Sequence, residues 1–357
     1  MIVDRGKIGT MPAASEREDE AYLDFVEGMR NWNFLALDPV LQARAQRAAQ
    51  DFEARHGRPP TTIEDAIETL HALPIAASRN RVIRSVQEMF WDRVIATYRK
   101  REPELLAALD RADRSGPGSV TWDPNFVYPD YFATVEFHIQ PGNYHADPLA
   151  GYIYHYGTKV FFRGANDHDE RQREFAFAVP VPRDGIVRRT LDLACSIGQV
   201  TTAMKERFPQ AEVWGIDIAA PMVRYAHKRA IELGLDVHFA QCAIEDLRFP
   251  DNSFDIVTSM IIFHEVPLEV TKRALREIAR VLRPGGVYAA SDFMPASKLD
   301  LVGTYLRYID SIDNGEPYAE EFISVDMTDL LREVGLRPMP GSEGWTRPWR
   351  WYSEKPS

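Results

Sequence analysis

Leu191-Asp192-Leu193-Ala194-Cys195-Ser196-Ile197-Gly198-Gln199 is the stretch on which the fold turns. An apolar run gives way to a turn of small residues, and a helical pattern begins at Val200. Small side chains let a ligand approach such a turn, whose amides lie at the positive end of the next helix. Asp217 closes the next apolar run, in Gly215-Ile216-Asp217, nineteen residues after Gly198. A carboxylate there can accept both hydroxyls of a ribose. Strand, turn, helix and distant acid suit any nucleoside-containing ligand.

Working outward, strands are expected over 190–193, 212–216, 236–240, 254–260 and 286–291. Helices are expected over 200–207, 221–232 and 269–282. Strands separated by helical patterns predict a parallel sheet covered on both faces, and the unbroken apolar runs agree with that burial. Towards the amino terminus the pattern is helical. Tyr22, Phe25, Val26 and Met29 recur at helical spacing, as do Val82, Val86, Met89 and Phe90. Thr62 followed by Asp65 reads as a capped helix start after Pro59 and Pro60. Ser115-Gly116-Pro117-Gly118-Ser119 reads as a linker. The expected organisation is a helical domain over 1–118, an aromatic-rich connecting or lid segment over 119–180, and an α/β domain over 181–357.

Five stretches resemble motifs of the class I S-adenosylmethionine-dependent methyltransferases. Asp192 to Gly198 is similar to their first motif, with small residues at Ala194, Ser196 and Gly198. Asp217-Ile218-Ala219-Ala220-Pro221-Met222 is similar to the second, and Phe249-Pro250-Asp251-Asn252-Ser253-Phe254-Asp255 to the stretch before strand four. His264-Glu265-Val266-Pro267 and Leu282-Arg283-Pro284-Gly285-Gly286 resemble the ubiquinone/menaquinone-biosynthesis-like branch. The resemblance covers roughly 187–357 and implies a Rossmann-like core with a mostly parallel seven-stranded sheet. It implies S-adenosylmethionine as cofactor. Asp192, Ala194, Cys195, Ser196 and Gly198 would face its methionine half. Asp217 would hold the ribose, with Ile218 and Ile244 on the two faces of adenine. Met222 and Ala243 belong to the same shell, and Met260 and Ile261 would line the approach to the sulfonium. Two family glycines stand here as Ala194 and Ser196, which narrows the turn. The acid frequent before the adenine contact stands as Ala243.

Methyl transfer requires alignment of an acceptor, and disposal of a proton when that acceptor is a hydroxyl or carbon. His264 is the first candidate base, since imidazole titrates near neutrality and it follows the strand that ends at the methyl; His145 and His155 come next. Capping or packing competes as the role of His264. Twelve of the 41 residues over 122–162 are aromatic, against 11% for the chain. That density predicts a loop-rich cover and an acceptor wall, with Tyr152, Tyr154 and Tyr156 as candidates. An insertion over 294–325 is expected to cap the pocket and adds Tyr305 and Tyr318. Trp345, Trp349, Trp351 and Tyr352 are expected in a final hairpin.

Composition bounds the partners. With 42 Lys and Arg against 53 Asp and Glu, the net charge of −11 disfavours nucleic acid. The longest apolar stretch, 256–263, is too short to span a bilayer, and residues 1–15 show no apolar signal core. Two cysteines make no disulfide framework, so a cytoplasmic protein is expected. No Cys/His cluster has metal-site spacing. The function predicted is methylation of a small, apolar or aromatic metabolite, with the amino-terminal helices as a candidate homodimer contact. The alternatives are a scaffold or non-methylating enzyme that binds the cofactor, and a dinucleotide-dependent oxidoreductase.

Overall fold

The computed structural model describes residues 10–14, 16–340 and 349–356. Trp345 and most of the amino-terminal stretch 1–15 lie outside them. One sheet organises the described residues. Its strands are β1 (Ser119–Thr121), β2 (Arg189–Leu193), β3 (Glu212–Asp217), β4 (His238–Gln241), β5 (Phe254–Met260), β6 (Leu282–Asp292), β7 (Arg337–Pro338) and β8 (Trp349–Glu354), in the spatial order β1-β4-β3-β2-β5-β6-β8-β7. The pairs from β1 through to β6 are parallel, and β8 runs antiparallel to both β6 and β7. The order reverses direction between β2 and β5, where α/β sheets open a crevice at their carboxyl edge.

The eighth strand is the departure from the seven expected. The Gly-Pro-Gly stretch reads as a free linker, yet Ser119–Thr121 extends the sheet edge by pairing with His238, Phe239 and Ala240. Gly118 makes this approach possible. Its φ is +83°, and a Cβ there would run into the Val237 carbonyl.

Helices α1 (Arg17–Trp32), α2 (Asp38–His56), α3 (Ile63–Leu70), α4 (Pro74–Arg99) and α5 (Glu102–Ala112) build the amino-terminal part. Thr62 caps α3 as its sequence suggests: the Asp65 amide donates to Thr62 Oγ1 at 3.2 Å, and the Thr62 amide to Asp65 Oδ2 at 3.1 Å. On α1 the inward face holds Leu23 and Val26 with Asp19, which takes Arg93 at 2.9 Å and Lys100 at 3.0 Å. Phe25 is 55% exposed, so the buried stripe is rotated from the one that Tyr22, Phe25, Val26 and Met29 suggest.

Within the aromatic segment, α6 (Ala150–Phe161) packs the helical part onto the sheet domain, with α7 (Glu170–Ala178) following. Gly151 allows the close approach, because a Cβ would collide with Tyr225 of α9 (Ala220–Glu232). The remaining sheet-domain helices are α8 (Gln199–Arg207) and α10 (Leu268–Val281), followed by α11 (Leu301–Asp313), α12 (Ala319–Ile323) and α13 (Met327–Glu333). Among the described residues no helix is long and apolar enough to cross a membrane.

Gly118→Ala should lower unfolding stability by at least about 1–2 kcal/mol, the ordinary cost of a left-handed L-residue, before the clash with Val237 is added. Urea denaturation would read this. Wild-type stability in the variant would mean that β1 does not belong to the folded sheet.

Candidate functional site

The site is built on the turn after β2. Ala194, Ser196 and Gly198 have φ of +49°, +50° and +74°. Glycine adopts such values freely, whereas alanine and serine lose about 1–2 kcal/mol each. The surroundings hold the turn in place. The Cys195 amide donates to the Ile216 carbonyl at 2.7 Å, and the Gly198 amide to Cys195 at 2.8 Å. The Ser196 amide donates to Asp217 Oδ2 at 2.9 Å, and Arg229 Nη1 donates to the Ile197 carbonyl at 2.8 Å. Arg229 is in turn paired with Asp169 at 2.6 Å, both buried. Gly198 is required by packing as well, since a Cβ there would sit 2.9 Å from the Phe239 ring.

Two carboxylates face the cavity above this turn. Asp217 accepts the Ser196 amide on one oxygen and the Ala219 amide, at 2.9 Å, on the other. Burial outweighs these bonds and pushes its pKa up to about 6. Asp192 receives the hydroxyls of Thr201 at 2.7 Å and Thr258 at 2.9 Å. Burial again dominates, and its pKa rises to about 7. Each oxygen keeps accepting capacity for a ligand.

The cavity holds about 1030 Å³ of empty space, counting its open mouth. Ten residues expected at a cofactor line it together: Asp192, Ala194, Cys195, Ser196, Asp217, Ile218, Met222, Ile244, Met260 and Ile261. Gly198 and Ala243 stand behind the wall. Ile261 is itself strained, with φ of +58° for a β-branched residue at the strand end. The rest of the wall is aromatic: Tyr131, Phe132, Phe137, Tyr144, Tyr154 and Phe162 all come from the segment over 122–162.

Of the five candidate tyrosines, only Tyr154 lines the cavity. The reason is helical. Tyr152, Tyr154 and Tyr156 lie on α6, where residues two apart point to nearly opposite sides. Tyr152 and Tyr156 are buried among the helices, and the Tyr152 ring packs 4.4 Å from that of Tyr225. Tyr305 is also away from the wall, receiving Asn80 Nδ2 at 3.0 Å. Tyr318 donates to the Tyr131 carbonyl at 3.1 Å and so backs the wall without lining it. Nothing from the insertion over 294–325 lines the cavity directly among the described residues.

The three candidate histidines are likewise off the wall. His264 is fully buried, its Nδ1 2.6 Å from Asp292 and its ring stacked on Phe293 at 3.8 Å. His155 bonds the Tyr225 hydroxyl at 2.7 Å, and burial pushes its pKa well down. His145 packs on Tyr128 at 4.5 Å, also with a lowered pKa from burial. The ionisable side chain that does reach the cavity after β5 is Glu265, the neighbour of His264. Both lie in a short 3-10 turn over Phe263–Glu265, which buries the His264 ring against Phe293 and leaves Glu265 on the cavity side.

Residues 190–286 match the methyltransferase domain family. Residues 190–286 thus form a class I methyltransferase domain within the carboxy-terminal half. Its match to a demethylmenaquinone methyltransferase of Thermus thermophilus is 39% identical over 34% of this chain and 54% of that protein. Its match to a ubiquinone/menaquinone biosynthesis C-methyltransferase of Desulfotalea psychrophila is 33% identical over 45% and 63%. A probable methyltransferase of Aspergillus luteorubrus is 31% identical over 46% of this chain and 62% of that one. The chain thus spans between about half and two thirds of the curated relatives it matches. Among solved structures, a SAM-dependent methyltransferase from Aquifex aeolicus is 22% identical with a TM-score of 0.39, over 52% of this chain and 89% of that one.

The cofactor of this domain class is S-adenosylmethionine, and the residues present fit it. Asp217 retains acceptor sites for ribose hydroxyls, Ile218 and Ile244 offer apolar faces, and the turn of small residues leaves room beside them.

A ligand that donates hydroxyls to Asp217 binds its charged form. Affinity for S-adenosylhomocysteine should therefore be level above about pH 7 and fall as pH drops through about 6, where the free carboxyl takes up its proton. Asp217→Asn should flatten that step and weaken binding at least about tenfold at high pH, by calorimetry. Ser196→Gly should raise unfolding stability by up to about 1 kcal/mol, the relieved strain less the entropy of glycine. A destabilised S196G variant would show that the turn is not strained.

Proposed function

We propose that the chain is an S-adenosylmethionine-dependent methyltransferase acting on a small, apolar or aromatic metabolite. The observation that carries this reading is a single cavity. The motif-bearing turn, Asp217, Ile218 and Ile244 share it with six aromatic rings from a segment outside the matched domain. The cofactor, when bound, supplies a methyl group on an electrophilic sulfonium. The chain's own work is to bind and align. Asp217 accepts ribose hydroxyls, Ile218 and Ile244 hold the base, and Asp192 with the turn at 194–196 faces the methionine half.

The rings make a wall for a flat apolar acceptor, which gains roughly 25 cal/mol per Å² of apolar area buried and further from stacking. Tyr144 and Tyr154 meet edge to face at 5.3 Å, and Phe137 stacks with Tyr144 at 6.2 Å. A walled cavity of this kind favours a small molecule over a protein or nucleic-acid acceptor. The names of the relatives support a ring-bearing acceptor, since two of them refer to quinones.

The test is transfer of radiolabelled methyl from S-adenosylmethionine into the small-molecule fraction of a cell extract. No incorporation, with cofactor binding intact, would leave a binding protein rather than a methyltransferase. Tyr154→Ala should cut incorporation at least about tenfold and change stability little. Tyr152→Ala should instead cost about 3–5 kcal/mol of stability, as a large aromatic removed from a core. The reverse pattern would mean that α6 presents its other face to the acceptor.

A further inference from the structure

Three ionisable groups from three parts of the chain meet beside the aromatic wall. Glu265, which follows β5, lines the cavity, and its Oε1 lies 3.3 Å from Nε2 of His138. His138 belongs to the aromatic segment, and its Nδ1 lies 3.1 Å from Oε1 of Glu316 in the insertion over 294–325. The His138 backbone is fixed from behind. The His138 carbonyl accepts Trp91 Nε1 at 2.7 Å and Gln87 Nε2 at 3.1 Å, both from α4. Glu316 is buried and takes Asn314 Nδ2 at 2.7 Å. Burial alone would lower the His138 pKa, but the two carboxylates outweigh it and raise it to about 10. The imidazole is then charged at neutral pH, and both its nitrogens donate.

A purely structural ion cluster would have no reason to present a member to a cavity. Here Glu265 is on the wall, while His138 and Glu316 stand behind it. None of the described lining residues is Lys, Arg or His, whereas Asp192, Asp217 and Glu265 are all acids. His264 lies 3.9 Å from Glu265 and is engaged by Asp292 at 2.6 Å. On the same wall the Tyr144 hydroxyl is buried without a partner. The cavity therefore offers flat apolar walls, a fixed carboxylate and an unengaged hydroxyl, and nothing to neutralise an anion.

We propose that Glu265 selects the acceptor. Its carboxylate, held by the positioning residue His138 and by Glu316, takes a hydrogen bond from a hydroxyl or amine on a ring-bearing molecule. It turns away molecules that carry an anion in the same place. Calling the ligand an acceptor rests on the methyl-transfer reading; the ligand class rests on the geometry of the cavity. The anion is excluded because charge repulsion and desolvation act together in a pocket with no compensating cation.

The experiment uses two probes of one shape, 2-naphthol and 2-naphthoate, titrated calorimetrically into the full chain with and without saturating S-adenosylhomocysteine. The naphthol is expected to bind at least about tenfold more tightly than the naphthoate. Glu265→Gln should weaken the naphthol about tenfold and bring the two probes within about threefold. Glu265→Asp keeps the charge, so it should still reject the naphthoate, and it serves if E265Q does not fold. His138→Gln should weaken the naphthol in the wild-type background and have no further effect beside E265Q, with S-adenosylhomocysteine affinity unchanged in each; this non-additivity marks action through Glu265. Equal binding of the probes, no naphthol binding, or selectivity that survives E265Q would overturn the proposal. Loss of S-adenosylhomocysteine binding alone would instead sink the methyl-transfer reading, and the probe comparison would still decide the role of Glu265.

Discussion

The turn at 194–198 is the constraint on which the site depends. Two of its left-handed positions are occupied by residues that disfavour them, so the turn exists only because its neighbours hold it. Asp217 clamps the Ser196 amide, and the buried Arg229–Asp169 pair clamps the Ile197 carbonyl. A buried ion pair adds little net stability of its own, but losing one partner strands the other, which makes the clamp cooperative. Asp217 thus holds the turn with a carboxylate that also lines the cavity. Substituting it disturbs the turn, and an amide in its place keeps an acceptor oxygen for only one of the two backbone amides.

The second feature is that the cavity has owners in several parts of the chain. The sheet domain supplies the floor and the two aspartates, and the aromatic segment supplies the rings. The insertion backs the wall through Glu316 behind His138 and Tyr318 behind Tyr131 and Phe137. The helical part contributes at one further remove, because Trp91 and Gln87 of α4 grip the His138 carbonyl. Gly118 and Gly151 let these pieces come close enough, the first at the sheet edge and the second against Tyr225. The wall is therefore as rigid as the packing between the parts.

Local pattern made much of this readable. The strands and helices of the sheet domain fall within about two residues of their apolar runs, except β6, which begins four residues earlier, at Leu282. The cap on α3 is formed by Thr62 and Asp65 as their spacing suggests. Ten residues expected at a cofactor share one wall because strand ends and the turns after them are set by short-range geometry. The tyrosines of α6 were less readable. An aromatic-rich stretch with glycines on either side hides a helix, and without its phase all three rings look equivalent. His264 and Glu265 posed the same problem on a smaller scale, since the phase of the short turn that carries them decides which one faces the cavity.

The sequence by itself determined the class of the sheet domain, the place of the turn, and the identity of the acids above it. Each of these follows from periodicity or from residues close together in the chain. Tertiary structure alone decided that a linker became an edge strand. It alone chose Tyr154 from three tyrosines, and it brought His138, Glu265 and Glu316 together across 127 and 51 positions of chain. Those outcomes depend on how helix faces and distant segments pack, and nothing in a local stretch of sequence encodes that distance.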